Sequence, residues 1–526
     1  MRKNRFVILI LALILSFTSF TVPGLAQSVD KSELDELKQM IQELKKDNEE
    51  KTKEIEALRK ENSEKIEALE SRINQLGEQQ EKPKMVAEPY EEHGEEQEDE
   101  DRKDEFYADP DKYTDSYSFF DRIDKGDKPY KTLVSKGPFR LEWGGYADLL
   151  ASWYDHGPDQ TRPGGSEPDS RLEFNLARFV LELEGEMFAG IGFEAEIEFE
   201  HGGTGSTLEI EYEEFGEYEQ EIEKGGEVII EELYLSKKFS DWGLLKAGRF
   251  YLAFGLIQFL DRPTDYLAAR RPEAELSIIP AIWDEIGVSF EYDINRNWNV
   301  TAQVVNGLDS AYFGSLGFVR DGHQSKFEYI KADGLALVGR VDYKLPDWGF
   351  LVGTSAYYGF NTNANRPEDD LDGVDSPLLL VDAHTILQHG RWRGSGVVIY
   401  GHLWNADEIS ERNARLSNNL QAPRTAVSDN AIATWGELGY NINTFVGLDH
   451  LHRLEPFARV DYYDTIYNPR KTLFDNPRYE RTVLTGGLSY TFANSIFIKL
   501  DYGYRIIAAS DLRNESTVNL AWGFVY

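Results

Sequence analysis

Arginines and carboxylates crowd one stretch of this chain. Between Leu252 and Ile282 stand Arg262, Arg270 and Arg271, beside Asp261, Asp265, Glu273 and Glu275. Guanidinium groups facing carboxylates across a narrow passage set a transverse field, which sorts solutes by charge and size. On an open surface the same residues would form ordinary salt bridges, so the reading depends on where the stretch lies. Charges elsewhere fall on every second residue. Glu194, Glu196, Glu198 and Glu200 alternate with Phe193, Ala195, Ile197 and Phe199. Lys499, Asp501 and Arg505 interleave with Ile498, Leu500, Tyr502 and Tyr504, and Arg340, Asp342 and Lys344 with Gly339, Val341 and Tyr343. A period of two puts the charges on one face of a strand and the apolar residues on the other. A charged inner face requires water, because an unpaired charge in a dry interior is very costly.

Other chemistry is thin. Glu209, Glu211, Glu213, Glu214, Glu217, Glu219, Glu221, Glu223 and Glu227 form an acidic run opposed by Lys224. Carboxylate oxygens suit calcium or magnesium, and a self-repelling, solvated hairpin is the plainer reading. His450 and His452 flank Leu451; two histidines alone do not make a metal site. There is no Gly-rich phosphate loop, nucleophile elbow or H-E-x-x-H. We therefore expect no enzyme, no cofactor and no metal.

The elements that must position these charges are strands. From Gly137 onward the period-two pattern predicts about sixteen, near Phe139–Tyr154, Leu172–Phe188, Ile191–Glu200, Val228–Phe239, Leu244–Tyr251, Trp283–Asp293, Trp298–Asn306, Leu335–Leu345, Phe350–Gly359, Leu379–Gln388, Trp392–Trp404, Ala431–Asn443, Leu454–Asp464, Glu480–Phe492, Ser495–Ile506 and Glu515–Tyr526. About ten residues is the span of a tilted membrane strand. The connections alternate between long and short, as in outer-membrane barrels with long outer loops and short periplasmic turns. Glu515–Tyr526 carries Val518, Leu520, Trp522, Phe524 and Tyr526 on one face and reads as the closing strand. The fold class is thus an all-β transmembrane barrel of about sixteen up-and-down antiparallel strands, residues 137–526. That many strands leave an aqueous channel.

The chain ahead of the barrel reads as three segments. Residues 1–26 resemble a secretory signal peptide, with Arg2, Lys3 and Arg5 before an apolar run and Ala26 at the cut. Residues 27–80 carry a heptad seam through Leu34, Leu37, Ile41, Leu44, Ile55, Leu58, Ile66, Leu69, Ile73 and Leu76, which predicts a periplasmic α-helical coiled coil and hence a homo-oligomer. Residues 81–136, nearly all acid from Glu91 to Glu105, read as a flexible linker. The chain holds 93 Asp+Glu against 56 Lys+Arg and no Cys. A net charge of -37 argues against nucleic acid as a partner. Residues 1–136 hold 33 acids against 23 bases, a net of -10, so 137–526 carry -27.

Two stretches resemble a known family. Arg171–Glu200, R-L-E-F-N-L-A-R-F-V-L-E-L-E-G-E-M-F-A-G-I-G-F-E-A-E-I-E-F-E, looks like the early hairpin of the phosphate-selective porin O and P family. Glu232–Arg262 is similar to that family's next hairpin and its approach to the third outer loop. The resemblance implies a trimeric sixteen-stranded outer-membrane channel, set in lipid and lipopolysaccharide, whose third loop folds inward. Members that prefer phosphate use lysine and arginine ladders. No such ladder can be matched here, and an acidic lumen concentrates cations instead.

The expected function is an outer-membrane porin passing small ions or solutes passively, narrowed by Leu252–Ile282. Its expected pore-lining or constriction residues are Arg262, Arg270, Arg271, Asp261, Asp265, Glu194, Glu196, Glu198, Arg340, Lys499, Asp501 and Arg505. The alternative is a structural anchor that tethers the outer membrane to the cell wall through the coiled coil. An open polar lumen separates the first reading from the second. A barrel enzyme would need a convergent acid–base cluster at the rim.

Overall fold

Alternation in the sequence becomes pairing in space. The computed structural model describes residues 131–157, 169–201, 207–214, 217–223, 227–240, 243–324, 330–366, 373–416 and 424–526. The signal-peptide and coiled-coil readings, and the linker up to residue 130, lie outside them. The strands are β1 (Lys131–Lys136), β2 (Phe139–His156), β3 (Asp169–Glu186), β4 (Ile191–Glu200), β5 (Thr207–Glu214), β6 (Glu217–Glu223), β7 (Glu227–Ser240), β8 (Gly243–Tyr251), β9 (Asp284–Asp293), β10 (Trp298–Asn306), β11 (Leu335–Leu345), β12 (Phe350–Gly359), β13 (Leu378–His389), β14 (Trp392–Leu403), β15 (Asn430–Tyr440), β16 (His452–Asp464), β17 (Glu480–Phe492), β18 (Ile496–Ile507) and β19 (Glu515–Val525).

Sixteen of these form a closed antiparallel ring. Each pairs with the next from β2 through β4, then β7 through β19. The seam is β19 on β2, from Ser516 opposite Asp155 to Val525 opposite Tyr146. Tyr526 extends it by exchanging backbone hydrogen bonds with Gly145, and its hydroxyl donates to the Val180 carbonyl at 2.9 Å. β5 and β6 stand outside the ring as their own hairpin, within the acidic run read as a hairpin. β1 falls in the stretch read as linker. It pairs with β2 over Phe139–Trp143, just past the point where β19 ends, and so occupies an edge whose backbone groups would otherwise go unpaired.

The ring's outside is apolar. Ile496, Ile498, Leu500 and Tyr502 of β18 are exposed, while Lys499 and Asp501 between them are buried inward. β11 behaves alike: Leu335, Leu337 and Val341 face out, Arg340, Asp342 and Lys344 face in. Such a band is at home against hydrocarbon. None of the described helices is long and apolar enough to cross a membrane; the strands do so. Each connection at one end of the ring is shorter than its neighbours at the other, so shorter and longer connections alternate. Ala189 and Gly190 both take positive φ, 55° and 67°, the backbone of a two-residue turn whose twist matches its strands.

The interior departs from the expectation of water throughout. The inward residues of β10 to β15 include Val305, Val338, Tyr357, Leu380, Val397, Ile399, Ala433 and Trp435, all buried. They form one apolar cluster with Leu252, Phe254, Leu256, Leu260, Ile278 and Trp283 from the connection after β8. We call that connection, residues 252–283, the inner loop. Its one helical turn, α1 (Glu273–Ile278), packs against β15 and β16. Strands such as β13 and β14 are greasy on both faces, so a period of two alone does not reveal that this side of the barrel is filled.

Candidate functional site: the inner loop and the barrel wall

The inner loop touches strands all round the ring, which places it within the lumen. Its start is held on β10, where Gln303 Oε1 accepts the Ala253 amide at 2.8 Å. At Gly255, the Asp382 carboxylate of β13 accepts the N–H at 3.0 Å and Arg340 of β11 donates to the carbonyl at 2.7 Å. Glu275, fully buried in α1, ties the loop to itself. One of its oxygens accepts Leu256 N–H at 2.7 Å and Ile257 N–H at 3.0 Å, and the other accepts Trp435 Nε1 at 2.7 Å. Burial pushes this carboxyl up from its ordinary value, against the pull of those three donors.

The far side of the loop is fixed by charges on backbone groups. Lys499 of β18 spends all three ammonium hydrogens on loop carbonyls: Pro263, Tyr266 at 2.7 Å and Ala268 at 2.9 Å. Its Nζ also lies 4.0 Å from the centre of the Tyr266 ring. Asp501 accepts the Ala269 amide at 2.6 Å, Glu437 that of Leu267 at 3.0 Å and Asp461 that of Ala274 at 3.1 Å. Arg393 and Arg459 donate to the carbonyls of Thr264 and Arg270 at 2.6 and 2.8 Å. A loop without sheet partners leaves many donors and acceptors open, and these inward side chains close them.

The loop's own charges turn to the remaining wall. Arg262 meets Glu182 of β3 at 2.7 Å, with both buried. Asp265 accepts the Arg262 amide at 3.1 Å and closes a tight turn. Arg271 pairs with Asp261 at 2.7 Å, and Tyr146 donates to the same carboxylate at 2.9 Å. Arg270 is exposed and reaches Ser152 at 2.9 Å. Arg505 grips Glu273 at 2.5 Å and Glu515 at 2.7 Å. Burial alone would raise the Glu273 carboxyl, but Arg505, with Tyr463, holds it down to about 2.

Glu194, Glu196 and Glu198 point inward on β4 and are buried. Glu194 receives the Tyr234 hydroxyl, and Glu198 lies 3.8 Å from Arg178. Glu182, Glu196 and Asp261 bring carboxylate oxygens within 4.8 Å of one another. That donor set suits a hard cation, although Arg262 and Arg271 already pair with two of the three. His452 hydrogen-bonds the Tyr490 hydroxyl at 2.8 Å. Of the expected residues, Glu194, Glu196 and Glu198 are buried on β4, Lys499, Asp501 and Arg340 end on loop backbone rather than in open space, and Arg270 is exposed. Sequence reasoning missed Arg178, Glu182, Asp382, His384, Glu437 and Asp461. The signal available was a charge at an inward position of an otherwise apolar strand, as in L-V-D-A-H-T of β13.

The ring is closed, sixteen-stranded and apolar outside, and its third long connection folds inside. Residues 157–325 match the phosphate-selective porin O and P family. This porin-family segment runs from the end of β2 past β10 and contains the whole inner loop. An uncharacterized protein of Aquifex aeolicus (strain VF5) is 27% identical over 295 residues, covering 54% of this chain and 59% of the relative. The match therefore spans about three fifths of that relative's length. Among solved structures, the outer membrane channel DcaP of Acinetobacter baumannii has a TM-score of 0.45 at 11% identity, covering 74% of this chain and 99% of its own. Salmonella typhi OmpF, in complex with daunomycin, has a TM-score of 0.45 at 10% identity, covering 75% and 100%. The match over residues 157–325 and the barrel's own register agree on an outer-membrane β-barrel scaffold.

Proposed function

We propose that this protein is an outer-membrane porin through which small ions or solutes diffuse passively, and that the inner loop narrows its pore. The observation that carries the reading is the fixing of that loop inside the ring from strands on every side. The apolar cluster fills the β10–β15 side, so the water path follows the other side, past β2–β4, β7, β8 and β17–β19. There Asp261, Arg270, Arg271, Glu273, Arg505 and Lys246 keep some exposure. The net -27 of residues 137–526 and the buried acids Glu182, Glu194, Glu196, Glu198, Glu231 and Glu232 favour cations over anions along this path. Passage down a gradient needs no energy-coupling segment.

The heptad seam supports a homo-oligomer, and a trimer suits a porin. Placement of the N-terminal region in the periplasm, and contact of the barrel with lipopolysaccharide, belong to the same proposal. One observation favours the anchor reading: apolar side chains fill the β10–β15 side of the lumen, as a tether tolerates. Single-channel recording in planar bilayers with a salt gradient decides between them. A current with a cation-selective reversal potential is expected. A phosphate-selective current would return the protein to the preference of its family's phosphate-selective members, and no conductance would leave the anchor.

A further inference from the structure

Both polar groups of one inner-loop residue, Gly255, are held by a single chain of four buried side chains. We propose that His384, donating from both ring nitrogens, is the positioning residue of that chain, and that removing one of the two donors frees the loop at Gly255 and unsettles the channel. The inference rests on the inner loop being the channel's narrowing.

His384 lies on β13 and its side chain is wholly buried. Its Nδ1 is 2.6 Å from Asp382 Oδ1 and its Nε2 is 2.7 Å from Asp342 Oδ1. An ionised carboxylate only accepts, so a ring set between two of them donates from both nitrogens. The charges agree. Arg340 donates to Asp342 Oδ2 at 2.7 Å, and two carboxylates against one guanidinium leave the group one positive charge short. The imidazolium supplies it, and in an apolar surround an unbalanced charge is costly. The two ends of the chain meet at the loop: Asp382 accepts Gly255 N–H and Arg340 donates to Gly255 C=O.

The strand between makes room for the bridge. Asp342, Gly353 and His384 stand in one register row across β11, β12 and β13. A Cβ at Gly353 would collide with both Asp342 Oδ1 and His384 Nε2. Other groups facing the chain are few. Ser355 of β12 donates to Asp382, the Phe259 ring lies 3.9 Å from the Arg340 guanidinium, and Val397 of β14 is the apolar neighbour in the row of His384. Glu275 of the inner loop adds a further carboxylate acting on Asp382. A neutral ring would set a lone pair against one carboxylate, which must then turn away. If it is Asp382 that turns, Gly255 loses its acceptor.

The test uses the full-length protein in detergent micelles and planar bilayers. Histidine ¹⁵N NMR reads the protonation of the nine histidines, with the His384 signal assigned by its loss in H384Q. The spectrum should show both ring nitrogens of His384 carrying hydrogen. In H384Q, which cannot donate to both carboxylates, amide exchange at Gly255 should quicken about tenfold or more over the wild type at the same pH. Channel noise should rise in the same variant. G353A keeps every charge but should show the same fast exchange. A ring with one N–H, or unchanged Gly255 exchange in H384Q and G353A, would overturn the proposal. Absence of any current would sink only the channel reading, because protonation and exchange report on the clamp without it.

Discussion

The two sides of the lumen hold the same loop by a different balance of contacts. Along β10–β15 the wall holds loop backbone through Gln303, Arg340, Asp382, Arg393 and Glu437, and adds an apolar face of Val305, Val338, Tyr357, Leu380, Ile399 and Trp435, which the loop answers with Leu252, Phe254, Leu260 and Trp283. Along β16–β19 and β2–β4 the wall offers Arg459, Lys499, Asp501, Arg505 and Arg178, and the loop answers with backbone carbonyls, amides and its own acids. Apolar burial is non-directional and scales with area. Charge-assisted bonds to backbone fix individual atoms. The β10–β15 side therefore adds non-directional burial to its backbone contacts, whereas the other side fixes the loop mainly by directional ones. On the proposed reading, in which the loop narrows a water path, a shape kept next to solvent needs the second kind of contact, because water competes away an ill-defined one.

Four perturbations break or sharpen this contrast. Trp283 is fully buried on the β10–β15 side, 4.8 Å from Tyr357 and 5.9 Å from Phe254 between ring centres. Trp283→Ala should cost about 3–5 kcal/mol, read as a lower urea midpoint for unfolding from micelles. Lys499→Met removes the donor from three loop carbonyls at once and should cost on the order of 3 kcal/mol. It should also raise single-channel noise and conductance, which Trp283→Ala does only through general loosening.

The Arg505–Glu273 contact is partly exposed, so Glu273→Gln should cost only about 1 kcal/mol or less at neutral pH. Its signature is the pH dependence. The folded carboxyl titrates near 2 against an ordinary 4.5, so its contribution is complete above 4.5 and is lost as pH falls toward 2. Acid unfolding curves of wild type and Glu273→Gln should converge across that window and stay parallel above it. Smallest in stability is Arg270→Ala, at about 0.5 kcal/mol or less. It removes a positive charge from the exposed path and should move the reversal potential further toward cations.

Much of the ring was legible because each strand shows its register on its lipid face. Ile191–Glu200, Trp298–Asn306, Leu335–Leu345, Phe350–Gly359 and Glu480–Phe492 agree with the structure to the residue, since lipid demands apolar side chains at every second place. The turns were legible for a related reason: Ala189-Gly190 and Ala493-Asn494 are too short for anything but a hairpin. What the pattern conceals is the difference between an inward charge that meets water and one that meets a loop. Lys499 alternates with Ile498 and Leu500 either way, and only its three carbonyl partners show which applies. His384 and Asp382 were overlooked because a short polar interruption in L-L-L-V-D-A-H-T-I-L carries no period of its own. β1 was overlooked because its role, covering the edge of β2, is written in the pairing of β19 rather than in K-T-L-V-S-K.

The chain contains no cysteine, so single introduced thiols report on the central claim without background. R270C and K246C stand along the proposed water path, V338C and I399C on the β10–β15 side, and each is treated with a charged thiol reagent while single-channel current is recorded. Modification with a fall in current at the first pair, and none at the second, is the predicted result. Equal modification of V338C and I399C would mean that water fills the lumen on both sides and that the loop does not pack as described.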